Sequence, residues 1–522
     1  MCGIALALGL EDLDASVRSM LARMWYRGAP NCQNEVESVG PAVLGTNRLP
    51  ITSDITSRQP ASSPDGRYHF AYNGEVYGLA LADSGGDTMA IALLLQSQGV
   101  SSVTRLNGMY ALAIVDRVAG MAYLVRDRFG IKPLYYCQDG DRFLAASEAG
   151  ALLAATRDVC IETLAPGELL EVPLDNPAYR RSIDKSDPAD PARPITDIEM
   201  ADPVGAVRAA LVKAVGSCLA SIPPGAFGVF LSGGVDSAAV YQIARRLRPD
   251  VVAVIGGAPG MPDHDAAMRL VASVGGEAIV ASIPPESALF DRAADIVAIA
   301  ESYEPNLVRQ SAVFEVFCAA AAKAGLRVML CGEGADELFC GYPDFQQSVP
   351  HKDWRQLRAE LLRDLHRTQL QRVDRFAMRR TIEVRVPFLD SDLSSLALSL
   401  PAAYLFEQTP DRSRNKLVLR EALEGILPDD VRLRPKVVLS EGCGLGGNHP
   451  TQGMFYRLAS DAIGRRATDE LVAAYPDWTI ATPEEAFYFR AFAASGLTQL
   501  KASKARTTTN RVSSIDQGGP TC

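Results

Sequence analysis

Phe230-Leu231-Ser232-Gly233-Gly234-Val235-Asp236-Ser237-Ala238 begins as an apolar run, turns through two glycines and leaves on residues that suit the start of a helix. A strand feeding a helix through such a loop gathers backbone N–H groups and the positive helix end at one point, where they hold phosphate oxygens without a lysine. The stretch is not G-x-x-x-x-G-K-[ST], so transfer of a terminal phosphate is not the chemistry indicated. An ordinary strand-to-helix turn is the bland alternative, and the paired glycines with their flanks count against it.

The text around this loop keeps one rhythm. A helix is predicted over 197–218, a strand over 225–231, a helix over 237–247, a strand over 251–255, a helix near 263–274 and a strand over 327–330. Strands alternating with helices predict an α/β domain with a doubly wound parallel sheet, whose ligands sit at the carboxyl ends of the strands. The last of these strands runs into Cys331-Gly332-Glu333-Gly334-Ala335-Asp336-Glu337-Leu338-Phe339-Cys340-Gly341-Tyr342. Alone, such an acidic turn reads as a solvated loop or a helix cap. At a strand end of the same sheet it adds carboxylates beside the phosphate loop, which is where a metal ligand is needed. Beyond Tyr342 the chain reads as mostly helical and rich in arginine, and 501–522, rich in Thr, Ser and Gly, reads as a disordered tail.

Before the loop the pattern is different. From Gly3 to Val172, short apolar runs alternate with turn residues, interrupted by helical spacing over 14–24 and 87–96. This predicts an α+β sandwich. The polar, proline-rich segment 184–195 reads as a linker, which sets domains at 1–183 and 196–500. A chain of 522 residues is long enough for two such cores.

Composition narrows the class. A net charge of −10 argues against non-specific nucleic-acid or anionic-membrane partners. The ten cysteines are scattered without a C-x-x-C pair, so neither a zinc site nor a disulfide framework is indicated. No segment reads as membrane-spanning. The expectation is a reduced, cytoplasmic protein.

Cys2 carries a specific possibility. Removal of the initiator methionine leaves one residue with both a thiol and an α-amino group, and the amine titrates close enough to the thiol to take its proton and later return it to a leaving amine. The chain has five histidines, none near its start, which suits a self-contained nucleophile. Position alone favours a small buried residue. The accompanying motifs are Asn47-Arg48-Leu49, Tyr72-Asn73-Gly74-Glu75-Val76-Tyr77, Gly86-Asp87 and Arg126-Asp127-Arg128-Phe129-Gly130-Ile131-Lys132-Pro133-Leu134-Tyr135. Singly they are turns and surface charges; in this order, with Met1-Cys2-Gly3-Ile4, they resemble class II glutamine amidotransferases. The resemblance implies an N-terminal nucleophile (Ntn) sandwich that releases ammonia from glutamine at Cys2. Asn73 and the Gly74 N–H would bind the oxyanion, Arg48 the substrate carboxylate and Asp87 its ammonium, with Leu49 and Glu75 completing the glutamine site. Two departures stand out. Arg27-Gly28-Ala29-Pro30-Asn31 replaces the family's R-G-P-D, and the stretch between Glu75 and Asp87 is short, so the loops over glutamine are expected to differ.

The phosphate loop and the acidic turn, with Glu383-Val384-Arg385-Val386-Pro387-Phe388-Leu389-Asp390 and Arg434-Pro435-Lys436, closely resemble the synthetase domain of asparagine synthetases. This implies that ATP is split between its α and β phosphates to make an acyl adenylate, which ammonia captures. Ser232, Gly233, Gly234 and Ser237 would hold phosphates, Leu231 and Gly332 would line the ATP site, and Asp236 and Asp336 would hold Mg2+. Glu333 would contact the acceptor acid or its attacking amine, and Lys436 would stabilise charge on the intermediate. The acceptor end departs from the family: Tyr303-Glu304-Pro305-Asn306-Leu307-Val308-Arg309 keeps the arginine but has Asn306 and Leu307 in place of a threonine pair. Aspartate is the default acceptor, held with Arg309. The alternatives are another carboxylic acid of specialised metabolism, or a β-lactam-synthetase-like intramolecular amide former, against which retention of Cys2, Arg48, Asn73, Gly74 and Asp87 counts. The carboxylates Asp236, Asp336 and Glu333 count against a non-catalytic sensor. The partners implied are glutamine, ATP and a carboxylic acid; a homodimer is left open.

Overall fold

The computed structural model describes residues 2–29, 35–51, 58–78, 86–347, 353–409, 412–435 and 453–501. Pro30, Asn31, most of the shortened 75–87 stretch, Lys436 and the 502–522 tail lie outside the described residues.

In the first half, two six-stranded antiparallel sheets lie face to face. Cys2–Leu8 runs in the middle of one, between Ala42–Arg48 and Arg142–Ala146, and every residue in it is buried because both of its faces are covered. Ile4, Leu6 and Leu8 point into the space between the sheets, while Ala5 and Ala7 meet Val17, Met20 and Leu21 of the helix Leu13–Arg23. The second sheet repeats the arrangement. Phe70 and Tyr72 of Tyr68–Val76 pack outward against Ile91 and Leu95 of the helix Asp87–Gln98, and Ala71 packs inward. Strand alternation therefore sends Asn73 and Glu75 to the inner face with Ala71. The α+β sandwich read from the sequence is the observed one. Its last strand, Arg181–Lys185, pairs with Glu168–Pro173 and so extends the sheet into 184–185.

The second half is built on a five-stranded, wholly parallel sheet in the order Glu277–Ala281, Val252–Gly256, Phe227–Leu231, Val328–Leu330, Glu383–Arg385. The chain starts in the centre, winds to one edge, then returns and winds to the other, which makes it doubly wound. The switch point lies between Phe227–Leu231 and Val328–Leu330, where such sheets place their ligands. Two strands went unread: Glu277–Ala281, which is partly exposed, and Glu383–Arg385, which carries buried charges. The helix predicted over 197–218 is two helices, Asp197–Ala201 and Pro203–Leu219. Pro203 cannot continue the first, and it suits the first turn of the second, which Asp202 caps by accepting the Gly205 N–H.

The halves meet across buried charge. Arg27 of the sandwich donates to Glu148 at 2.5 Å and to Asp374 of the helix Leu370–Met378; Arg375 on the same helix bonds Glu301 at 2.5 Å, lies 3.3 Å from Glu148 and donates to the Ser147 carbonyl. Glu301 in turn accepts the Ala149 and Gly150 N–H groups. All five of these side chains are buried, and each has at least one partner from the other half beside any it has in its own. Among the described residues no helix is long and apolar enough to cross a membrane.

Candidate active sites

Cys2 opens its strand opposite Arg48, its Cα partner across the sheet. Its backbone nitrogen donates to Asn73 Oδ1 at 2.9 Å, and Asn73 Nδ2 is buried with no hydrogen-bond partner among the described residues. Gly74 follows with its backbone against the neighbouring strand, and a Cβ there would fall 2.0 Å from the Met109 carbonyl oxygen, so no side chain is tolerated. Burial pushes the Cys2 thiol up, against the lowering influence of the amino terminus, the Leu49 N–H and the Arg48 charge; Asp87 adds to the rise. Cys2, Arg48, Leu49, Asn73 and Asp87 thus share one neighbourhood. Asp87 sits in the first turn of its helix, and burial holds its carboxyl above the usual range.

Glu75 is turned toward the second half. It accepts a hydrogen bond from Ser221 Oγ at 2.5 Å and lies 3.1 Å from Arg385 Nη2, while Arg385 Nε donates to Glu383 at 2.6 Å. Burial drives the Glu75 carboxyl up to about 7, with Arg385 pulling the other way and Glu383 and Asp87 reinforcing the rise. Burial also opposes charge on Glu383, but Arg385, the amino terminus and Lys132 outweigh it and hold that carboxyl below its usual range.

At the switch point a cavity of about 150 Å³ is lined by Ser232, Gly234, Asp236 and Ser237 of the first loop and by Gly332, Glu333 and Asp336 of the second. The Ser232 N–H donates to Ser237 Oγ at 3.1 Å, tying the loop's ends. The loops touch through Gly332: a Cβ there would lie 2.8 Å from Asp236 Cβ. Lys416, in the left-handed region at φ 54°, places its ammonium 2.6 Å from Asp236 Oδ2 and 2.6 Å from Asp336 Oδ1. The two carboxylates therefore converge on a single cation. Asp236 Oδ1 is buried without a hydrogen-bond partner among the described residues. Hard oxygen donors of this kind suit Mg2+, and with no group of three or more potential ligands among the described residues, phosphate and water oxygens would have to complete its shell. Arg434, 2.5 Å from Asp263, also donates to the Gly233 carbonyl, holding the first loop from outside.

Arg309 is not brought to this cavity. Its guanidinium is clamped on Glu484 at 2.8 and 2.5 Å, and Tyr488 bonds the same carboxylate. The cation in its place is Arg372, buried, bonded to Glu333 and Gln310. Neither Arg372 nor Lys416 stood out in the sequence, because neither belongs to a glycine-rich turn and each is defined by partners far along the chain.

The glutamine amidotransferase domain model matches residues 1–172, and the asparagine synthase model matches 206–363 and 348–513. The chain is 27% identical over 506 residues to "Asparagine synthetase [glutamine-hydrolyzing] 1" of Arabidopsis thaliana, covering 88% of this chain and 82% of the relative. It is 27% identical over 532 residues to "Asparagine synthetase [glutamine-hydrolyzing]" of Asparagus officinalis, covering 94% and 85%. Among solved structures, the glutamine phosphoribosylpyrophosphate amidotransferase of B. subtilis aligns at 16% identity with a TM-score of 0.29, over 63% of this chain and 81% of that one, too slight a likeness to carry an argument. With one model spanning more than half of the sequence and the other in front of it, the chain belongs to the asparagine synthase family and is an ATP-dependent, glutamine-hydrolysing carbon–nitrogen ligase.

Proposed function

We propose that the acid amidated is aspartate, that residues 1–183 supply the ammonia and that 196–500 use it. The observation that carries the second site is the convergence of Asp236 and Asp336, from two loops of one switch point, on one cation 2.6 Å from each. The first site is supported by Asn73, whose Oδ1 is engaged by the Cys2 nitrogen while Nδ2 stays open.

With the initiator methionine removed, the α-amino group of Cys2 takes the thiol proton and the thiolate attacks the glutamine amide carbon. Asn73 Nδ2 and the Gly74 N–H hold the oxyanion, Arg48 the substrate carboxylate and Asp87 its ammonium, with Leu49 and Glu75 at the edges of the site. Collapse returns the proton to the leaving nitrogen as ammonia, and water then releases glutamate from the thioester. At the second site Ser232, Gly233, Gly234 and Ser237 hold the ATP phosphates, and Leu231 and Gly332 border the nucleotide. Mg2+, held by Asp236 and Asp336, would screen the phosphate charge. An oxygen of the acceptor carboxylate attacks the α-phosphorus and pyrophosphate leaves. Ammonia then attacks the acyl carbon beside Glu333, and AMP leaves as the amide forms. Lys416, buried between the two carboxylates, and Lys436 are the cations proposed to balance the departing charge.

Pyrophosphate release is to be measured over a panel of carboxylic acids, with glutamine and again with ammonium. Aspartate is expected to give the highest kcat/KM and asparagine as product. Release with another acid and none with aspartate would overturn the aspartate assignment.

A further inference from the structure

Among the described residues the cavity has four lining cations, and three are spoken for at the nucleotide end. Lys416 lies on Asp236 and Asp336, Arg434 on Asp263, and Arg420 on the carbonyls of Asn415, Arg432 and Arg434. The fourth, Arg372, stands in a different setting, among Glu333, Gln310 and Phe314. On the helix Pro305–Lys323, Gln310, Phe314 and Phe317 line the cavity at i, i+4 and i+7. Arg309, one residue earlier, is turned by ~100° from that stripe and engages Glu484 on the helix Pro483–Ala494.

We infer that Arg372, and not Arg309, receives the carboxylate of the acceptor that is not activated; the inference rests on aspartate being the acceptor. Arg372 is 2% exposed, and its Nε is buried with no hydrogen-bond partner among the described residues. A desolvated guanidinium N–H without an acceptor is costly, and a bound carboxylate would remove the cost. The Phe314 ring, 5.6 Å from the guanidinium carbon, helps fix the plane of the fork. Charge bookkeeping favours the same ligand. Arg372 and Glu333 form a neutral pair, and the head of aspartate is a neutral pair of the opposite layout: its carboxylate goes to Arg372 and its ammonium to Glu333, so no net charge is added to a desolvated site. A ligand bringing only a carboxylate would leave an uncompensated negative charge there.

The test is ammonium-driven pyrophosphate release, measured with aspartate and with β-alanine, which keeps the activated carboxylate and the amine but lacks the second carboxylate. In the wild type, aspartate is expected to be strongly preferred. Arg372→Gln is expected to raise KM for aspartate by about 100-fold and to collapse the preference over β-alanine, with ATP affinity by calorimetry unchanged. Arg372→Lys, which keeps the charge, is expected to recover part of the preference, and the double variant Arg309→Gln/Glu484→Gln is expected to hold KM within about threefold of wild type. An aspartate preference that survives Arg372→Gln, or is lost in the double variant alone, overturns the inference. Absence of pyrophosphate from the wild type with aspartate, while another acid works, overturns the aspartate assignment and this inference with it, so the two failures are told apart by the wild-type panel.

Discussion

Replacing Glu75 by Gln should stabilise the protein at alkaline pH and leave it unchanged at acid pH. Glu75, Glu383 and Arg385 are buried together, so with both carboxylates ionised the cluster carries one negative charge in excess. Burial is the main reason that the Glu75 carboxyl rises from 4.5 to about 7. The sign follows from proton counts. Between these values the folded chain holds a proton that the unfolded chain has lost, so the wild type loses stability as pH climbs through this window, and above it the loss levels off. At ~1.4 kcal/mol for each pH unit the full penalty is about 3 kcal/mol. Glutamine keeps the shape and cannot ionise, so the variant escapes the penalty. Urea unfolding of wild type and Glu75→Gln, followed by tryptophan fluorescence from pH 4 to 8.5, should give midpoints that coincide near pH 4 and diverge in favour of the variant by pH 8. Parallel curves, or a gap that opens toward acid, would refute the reasoning, because either result would mean that Glu75 stays ionised in the folded protein throughout.

Other outcomes test the two sites separately. Cys2→Ala is expected to lose glutamine-driven amide formation and keep the ammonium-driven reaction, since only the nitrogen source needs the thiol; product assays with each donor decide it. Lys416→Met leaves Asp236 and Asp336 facing each other without their shared cation, and both reactions should fall by about 100-fold, while the thermal midpoint gains more from added Mg2+ than it does in the wild type. Gly332→Ala puts a methyl 2.8 Å from Asp236 Cβ and 3.0 Å from the Ser237 nitrogen, so the two loops must part; ATP affinity by calorimetry should drop by at least about tenfold, with glutamine hydrolysis by the same protein retained.

The doubly wound sheet and its switch point were legible because their signals are local. Phe227–Leu231 and Val328–Leu330 are short apolar strands, each followed at once by glycines and carboxylates, and a parallel sheet demands such strand-loop-helix units. The Cys2 neighbourhood was legible for a different reason: motif order brought together residues that pair across a sheet, as Cys2 and Arg48 do. Lys416 was not legible. Its position depends on a left-handed turn and on two carboxylates 180 and 80 residues away, and nothing local marks it. The break in the helix predicted over 197–218 does have a local mark in Pro203, since a proline inside a helix argues for a break there.

The larger miss concerns charge. Sequence patterns identify burial through apolar residues, so the stretch beyond Tyr342 reads as mostly helical and rich in arginine with nothing to mark those arginines as buried, and Glu383-Val384-Arg385 does not read as a strand at all. In the structure Arg372, Arg375 and Arg385 are among the largest fully or nearly fully buried side chains. An arginine can be buried only if a carboxylate or carbonyl is buried with it, and here part of the pairing comes from across the seam between the two halves: Glu148 and the Ser147 carbonyl add to Glu301 for Arg375, Glu75 adds to Glu383 for Arg385, and Arg27 pairs with Asp374. Each half taken alone would bury unpaired charge and be a poor fold. Asp374 and Glu75 in particular find their arginine partners only when the halves are joined, which is why no window of sequence within one half could reveal their burial. It is also why breaking one partner on the glutaminase side should be felt on the synthetase side, through a helix that carries Arg372 to the cavity and Asp374 and Arg375 to the seam between the halves.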